Sequence, residues 1–279
     1  ALRRTSTIGA LVPRLGTSSF PTLVQALEAT LAAQGYTLLL SAPDHARTDE
    51  TAILRRLIER GVDAVALLGS EHAPETLALL AAHGLPHVMM WGAPQAEGGC
   101  VTFDEAAAAA LVVEHLAALG HRRIGFIGGR TAANERARRR LQGLLQALAR
   151  HGLQLPAAAQ IETDYGFREG FEAMQALLQR GVPLSAVVCG NDYLAAGALS
   201  ALDRAGVAVP GAMSVASFND NDFAAYLHPP LTTVRTPIAE MGAAAGRYLL
   251  ARLAGQPAPL PGPLPVSLVV RDSTAAPPG

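Results

Sequence analysis

The sequence predicts an α/β protein of two Rossmann-like lobes, each a parallel sheet covered by helices, and three observations carry that prediction. Short apolar runs alternate with helical periodicity along most of the chain, which is the signature of parallel strands joined by crossover helices. The pattern then restarts at Gly120. Finally, LIERGVDAVALLGS from Leu57 to Ser70 and LLQRGVPLSAVVCGN from Leu177 to Asn191 share a helix, an Arg-Gly-Val turn and an apolar strand, so two similar lobes are expected.

Taken in order, Thr7 to Val12 is the first strand pattern, and the turn-rich PRLGTSS leads into a helix from Phe20 with apolar positions at Leu23, Leu27 and Leu31, closed by Gly35. Strand Tyr36 to Ser41, helix Asp49 to Arg60, strand Ala64 to Leu68, helix Pro74 to His83 and strand Pro86 to Met90 follow. Cys100 to Phe103 and the helix Glu105 to Leu119 complete the first half. The second half opens with strand Arg123 to Ile127 and a Gly128-Gly129-Arg130 turn, then helix Asn134 to His151, strand Gln160 to Thr163 and helix Gly166 to Arg180.

Ser185 to Arg235 organises the rest. The apolar run Ala186 to Cys189 is a buried strand that breaks at Gly190-Asn191-Asp192 into an alanine-rich helix, and Met213 to Phe218 repeats the strand before breaking at Asn219-Asp220-Asn221-Asp222. In a parallel α/β sheet the carboxyl ends of strands face the ligand crevice, so both clusters are expected to turn amides and carboxylates toward one site. Beyond a helix from Pro237 to Leu253, the proline-rich GQPAPLPGPLP predicts a stiff extended crossover, followed by strand Val266 to Val270 and a short tail, frayed at Ala276 to Gly279.

With 279 residues, half of them hydrophobic, the chain has ample material for a core. A net charge of −1 supplies no field for nucleic acid or an anionic membrane. Cys100 and Cys189 are far apart and fit a reducing, cytoplasmic compartment. No apolar run approaches the length of a membrane span, and the start lacks the apolar core of a signal peptide. All 22 basic side chains are arginine, which excludes Schiff-base, pyridoxal phosphate, P-loop and kinase chemistry that needs a lysine amine. His83 and His87 flank Gly-Leu-Pro, which breaks any helix that would pair them on a metal. No G-x-S-x-G elbow frames Ser70 or Ser217. No metal, cofactor or catalytic residue is expected.

The run Arg136, Arg138, Arg139 and Arg140 lies early in a helix, where the dipole disfavours cations. Arg138 and Arg139 suit a solvated face, whereas one or two of the run are candidates for gripping hydroxyls, carboxylate or phosphate. Phe20, Trp91 and Tyr165 each follow a strand or open a helix at the same sheet edge, where aromatic faces suit sugar rings or planar bases; core packing is the competing assignment for each.

The motifs Gly-Asn-Asp at Gly190 with Ala-Ala-Gly-Ala-Leu, Val-Pro-Gly-Ala-Met-Ser-Val-Ala-Ser-Phe-Asn-Asp, Pro-Pro-Leu-Thr-Thr-Val, Gly-His-Arg-Arg-Ile-Gly-Phe-Ile-Gly-Gly at Gly120, Arg-Leu-Gln-Gly at Arg140 and Leu-Val-Val-Arg-Asp-Ser-Thr at Leu268 together make the chain resemble the LacI/GalR family of transcriptional regulators. The resemblance implies two lobes of the type I periplasmic-binding-protein-like kind, joined by three crossovers, with a small-molecule effector, sugar or related metabolite, bound between them and a homodimer along the lobes. It places the lobes at 1–119 plus 236–254 and 120–235 plus 264–274, a crossover at 255–263 and a tail at 275–279. Effector contacts carried over by motif fall on Phe20, Trp91, Arg140, Tyr165, Asn191 and Asn219, with Asn134 and Arg136 as weaker candidates. Arg140 is expected to be the main polar anchor, with its truncation affecting binding rather than folding. Where the family often has Asp, this chain has Asn219, whose amide both donates and accepts. Operator DNA is expected to bind only through an N-terminal helix-turn-helix absent from this sequence. An extracytoplasmic sugar-binding receptor of the same architecture is the alternative.

Overall fold

A computed structural model describes every residue except 1–4, 14, 17–18, 43–48, 95–98, 133 and 279; parts of the PRLGTSS turn and the last tail residue therefore lie outside the described residues. The elements are, in order, β1 Thr7–Leu11, α1 Phe20–Ala32, β2 Thr37–Ser41, α2 Glu50–Glu59, β3 Ala64–Leu68, α3 Pro74–Ala82, β4 His87–Met90, β5 Cys100–Val101 and α4 Glu105–Ala118. They continue with β6 Ile124–Gly129, α5 Glu135–Arg150, β7 Gln160–Thr163, α6 Phe167–Gln179, β8 Ala186–Cys189, α7 Asp192–Arg204, β9 Ser214–Asn219, β10 Thr232–Arg235, α8 Ile238–Leu253 and β11 Ser267–Val269.

The chain divides into two compact units, residues 1–103 with 237–264 and residues 104–236 with 265–279. In the first, five parallel strands stand in the order β2-β1-β3-β4-β5. In the second, six strands stand in the order β11-β10-β9-β8-β6-β7, parallel except where β10 meets β11. Taken from its other end, the second sheet repeats the first: β7, β6, β8, β9 and β10 occupy the places of β2, β1, β3, β4 and β5. The sequence echo falls on equivalent parts, α2 with β3 and α6 with β8. Its turn glycines, Gly61 and Gly181, both sit at positive φ, 78° and 63°, a conformation that costs a residue with a Cβ about 1 kcal/mol or more.

Each unit has its own core. Leu54, Leu57, Val65, Leu67 and Met89 cluster in the first, and Met174, Leu177, Val187, Leu194, Leu202 and Val215 in the second. Each such side chain contributes about 1.5–3 kcal/mol through burial. Central strands are apolar on both faces because helices cover both, as in β3, where all five residues are buried.

The first passage of chain between units comes after Phe103, not near Leu119. α4 packs on α5 and against β9, β10 and β11, so its apolar face, including Ala108, Val112 and Leu116, is buried in the second unit. The second passage follows Thr236 and the third follows Leu264. Residues 256–262 carry neither helix nor strand, as the prolines require, and the segment docks at its end, where the Leu264 amide donates to the Thr102 carbonyl at 2.8 Å. One further expectation changes: Gly128 and Gly129 close β6 rather than forming a turn. The tail is tied down at its first residue, where the Ala275 carbonyl accepts from His121 Nε2 at 2.8 Å.

Candidate functional site

The carboxyl ends of β6, β7, β8 and β9 form one edge of the second unit, and most of the expected effector residues gather there. The order 7-6-8-9 places a topological switch point between β6 and β8, since the chain leaves β6 toward one side of the sheet and β8 toward the other. Side chains at such a point line a crevice.

Arg140, in the second turn of α5, is 3% exposed. Its Nε and Nη2 donate to the two carboxylate oxygens of Glu105 at 2.9 and 3.0 Å, and Nη1 donates to the Gly190 carbonyl at the end of β8 at 2.5 Å. The guanidinium carbon lies 4.7 Å from the centre of the Phe218 ring. Burial pulls this group's pKa down, but the Glu105 carboxylate overrides it and the net direction is upward. Glu105 is 1% exposed, so this is a buried bidentate pair that holds α4, α5 and β8 together. The expectation that Arg140 acts on binding alone therefore needs correction, because its removal takes a bidentate partner from a buried carboxylate.

Arg136, one turn earlier, has its pKa lowered by burial, opposed by Tyr165, Glu135 and Glu105. Asn134 is the N-cap of α5; its Oδ1 accepts from the amides of Arg136 and Ala137 at 3.2 and 3.3 Å, the ordinary work of Asn at that place. Arg138, expected on a solvated face, donates to the Thr131 carbonyl at 2.8 Å.

Tyr165 follows β7, and burial pushes its phenol upward in pKa. Its ring lies over the end of β6: a Cβ at Gly129 would come within 2.5 Å of it. Gly129 is thus the floor for the ring.

Asn191 caps α7, with Oδ1 accepting from Leu194 N at 2.9 Å, and it is buried. Asp192, beside it, turns into the protein rather than toward a ligand, correcting the expectation that both clusters offer carboxylates. One oxygen accepts from Ser217 Oγ at 2.5 Å and Thr233 Oγ1 at 2.7 Å. The other accepts from Asn221 N at 2.6 Å and Asn221 Nδ2 at 2.9 Å. Burial still raises its pKa against these four bonds. The two Asn/Asp clusters are therefore joined through each other, and Asp192 fixes the chain after β9. There Asn219 holds φ 106° and Asp220 φ 54°, backbone states uncommon for residues with a Cβ. Asn219 Oδ1 accepts from Thr236 Oγ1 at 3.4 Å. Asp220 takes Arg235 at 2.8 Å and Arg271 at 2.7 Å.

Phe20 and Trp91 lie in the first unit. Trp91 follows β4 at φ 58° and is 3% exposed. Phe20, the first residue of α1, meets it edge-on at 5.7 Å, and the Phe103 ring lies tilted against it, also at 5.7 Å. The aromatics form a packed cluster of edge-on and tilted contacts rather than separate exposed faces. At the end of β3, His72 places Nδ1 2.9 Å from Glu50 and Nε2 3.2 Å from the Gly69 carbonyl, an arrangement no motif announced. Glu105 was also missed, because an acid in the first turn after an Asp N-cap reads as ordinary dipole compensation. Ser217 and Thr233 alternate within apolar strands and gave no signal at all.

Among the described residues no three of His, Cys, Asp and Glu converge as metal ligands, and no helix is long and apolar enough to cross a membrane.

Two like-ordered, largely parallel sheets joined by three passages of chain, the second carrying Asn, Arg and Tyr side chains at its strand ends, define a two-lobe α/β ligand-binding core. Residues 113–274 match the periplasmic binding protein-like domain. The HTH-type transcriptional regulator MalR of Streptomyces coelicolor is 34% identical over 98% of this chain and 81% of its own length. Among solved structures, the Lac repressor dimer bound to operator and the anti-inducer ONPF superposes with a TM-score of 0.88 at 26% identity, covering 99% of this chain and 96% of that one. The complex of the transcriptional regulator CelR with cellobiose gives 0.85 at 27% identity, covering 97% and 85%. The chain belongs to the LacI/GalR family of transcriptional regulators and has the effector-binding core of that family.

Proposed function

We propose that this chain binds a small-molecule effector, a sugar or related metabolite, at the strand ends of the second unit and forms a homodimer. In that reading Tyr165, Arg140, Asn191 and Asn219 are the principal contacts, with Asn134 and Arg136 beside them and Phe20 and Trp91 contributed by the first unit. The observation that carries it is the gathering of Arg140, Tyr165 and Asn191 around Gly129 and Gly190 at the β6/β8 switch point. Operator DNA binds through an N-terminal helix-turn-helix outside this sequence, the protein works in the cytoplasm, and effector binding acts on DNA affinity through lobe closure. The chain-wide likeness to a regulator favours this over an extracytoplasmic receptor.

Calorimetry against a panel of mono- and disaccharides tests the effector role, and sedimentation tests the dimer. Saturable binding of one member, weakened tenfold or more in Asn191→Ala, and about twice the chain mass are expected. Binding that is unchanged in both Asn191→Ala and Tyr165→Ala would place the site elsewhere.

A further inference from the structure

We propose that the outer edge of β2 is a docking site for an extended, acidic segment of a partner protein, which pairs with the strand through its main chain and sets its carboxylates against Arg56 and Arg60 of α2.

β2 ends the first sheet, with β1 on one side and, among the described residues, no strand on the other. The Thr37 amide donates to the Ser6 carbonyl at 2.8 Å, and the Ser41 carbonyl accepts from Val12 N at 3.0 Å. In the register that pairs Thr37, Leu39 and Ser41 with Thr7, Gly9 and Leu11, these three residues turn their backbone groups toward β1. The alternation of a parallel strand then points the N–H and C=O of Leu38 and Leu40 outward. Exposed edges are ordinarily guarded by a charged side chain, a proline, a bulge or a covering element. The strand itself, Thr-Leu-Leu-Leu-Ser, carries no charge and no proline, and its leucines are only half-buried.

The second sheet shows a guarded edge in the same chain. There β7 holds the equivalent place and carries Gln160 and Glu162, and Arg180 donates Nη1 to the Ala158 and Gln160 carbonyls, at 3.0 Å each. In the sequence echo Arg60 stands where Arg180 stands. Arg60 instead lines, with Arg56, a cavity of about 400 Å³ whose other walls include Leu39, Leu40, Ile53 and Leu57. Neither guanidinium takes part in the ion pairs of the described residues. Arg56 Nε donates within its own helix, to the Ala52 carbonyl at 3.3 Å, so the outer fork stays available to an anion. Apolar walls and two unpaired cations along an open edge fit a strand that alternates apolar and acidic side chains. A second copy of this chain fits poorly. Paired edge to edge about a two-fold axis, it would bring its own α2 to the same face and set arginines against arginines, and like charges opposed in a contact are costly.

The test uses a blocked, fluorescently labelled heptapeptide of alternating glutamate and valine. Its controls are the counterpart with lysine for glutamate and a form N-methylated at every amide, which cannot donate to the strand. Anisotropy with the full chain should show saturable binding of the acidic peptide, at least about tenfold weaker in the double variant Arg56→Ala/Arg60→Ala and absent for both controls. Both arginines are exposed on α2, so the double variant is expected to keep its fold. Hydrogen exchange read by NMR should show the Leu38 and Leu40 amides slowing when the peptide binds, while Leu39, already turned to β1, stays unchanged. No saturable binding, binding indifferent to the arginines or to N-methylation, or unchanged exchange at Leu38 and Leu40 overturns the proposal. Slowing of those two amides with protein concentration alone, before any peptide is added, would give the edge to a second copy and overturn it as well.

Discussion

Arg140 and Glu105 clasp each other through both ends of the guanidinium fork, at 2.9 and 3.0 Å, with neither side chain more than 4% exposed. The two residues lie 35 positions apart, on α5 and α4. A buried pair of this kind punishes the loss of one partner more than the loss of both, because the survivor keeps its desolvation cost. Arg140→Ala is therefore expected to lower unfolding stability by about 3–5 kcal/mol, whereas Arg140→Met combined with Glu105→Leu stays within about 2 kcal/mol of wild type. Urea denaturation of wild type, Arg140→Ala and the Arg140→Met/Glu105→Leu double variant measures both. An Arg140→Ala protein as stable as wild type would show that the pair holds nothing together.

Asp192 is the other buried centre, accepting four hydrogen bonds from Ser217, Thr233 and Asn221. Asp192→Ala takes this acceptor from two buried hydroxyls, a backbone amide and a side-chain amide, at a cost of about 3 kcal/mol after partial relaxation. Because Asn221 N loses its partner, its amide is expected to exchange with solvent faster than its neighbours in β9. Uniform protection across residues 214–221 in the variant would refute a local anchoring role.

Much of the fold was legible in the sequence. Strands β3, β7 and β8 and the helix that follows β8 are bounded as their apolar runs and the Gly-Asn-Asp break predict, because local pattern and burial agree there. Gly128 and Gly129 misled: a glycine pair after an apolar run ordinarily breaks a strand, yet β6 continues through them since pairing with Glu162 and Thr163 of β7 holds the backbone extended. Strand β10 was not expected after Pro229 and Pro230, and it exists through its partners, β9 on one side and β11 on the other. The site was legible as a set of positions and illegible as a set of bonds. Arg140 was found from its motif, but its partner carries no motif, and only the packing of α4 on α5 brings Glu105 to it.

Gly129 gives a prediction that separates packing from backbone preference. Alanine in place of a strand glycine would ordinarily gain slightly through reduced backbone freedom in the unfolded chain. Here the added Cβ would stand 2.5 Å from the Tyr165 ring, so Gly129→Ala is expected to cost about 1–3 kcal/mol by overpacking. Combining it with Tyr165→Ala removes the obstruction, and the double-mutant cycle should show a favourable coupling of about 1 kcal/mol or more. Simple additivity of the two substitutions would mean the ring does not rest on Gly129.

His121 supplies the pH dependence. It is buried at the start of the second unit's sheet, with Nε2 donating to the Ala275 carbonyl at 2.8 Å and Nδ1 2.9 Å from Ser185 Oγ. A carbonyl can only accept, so Nε2 carries the proton and neutral Nδ1 accepts from the serine hydroxyl. Burial lowers the imidazole's pKa, opposed by the Ala275 bond, and His115 is lowered as well, by burial first and then by its proximity to His121. The sign follows from proton counting. Below the ordinary histidine value the unfolded chain holds protons that the folded chain does not, so stability rises with pH across that window and falls as acid is added. Chemical denaturation between pH 7.5 and 5 should therefore show a loss of stability toward pH 5, and His121→Gln, which titrates nothing at that place, should shallow the slope even though its stability at pH 7.5 is lower. The buried Asp192 carboxyl, raised by its desolvation, acts in the opposite sense, so the comparison with His121→Gln, which leaves Asp192 in place, is what isolates the imidazole. A slope in His121→Gln as steep as in wild type would assign the acid sensitivity to other groups.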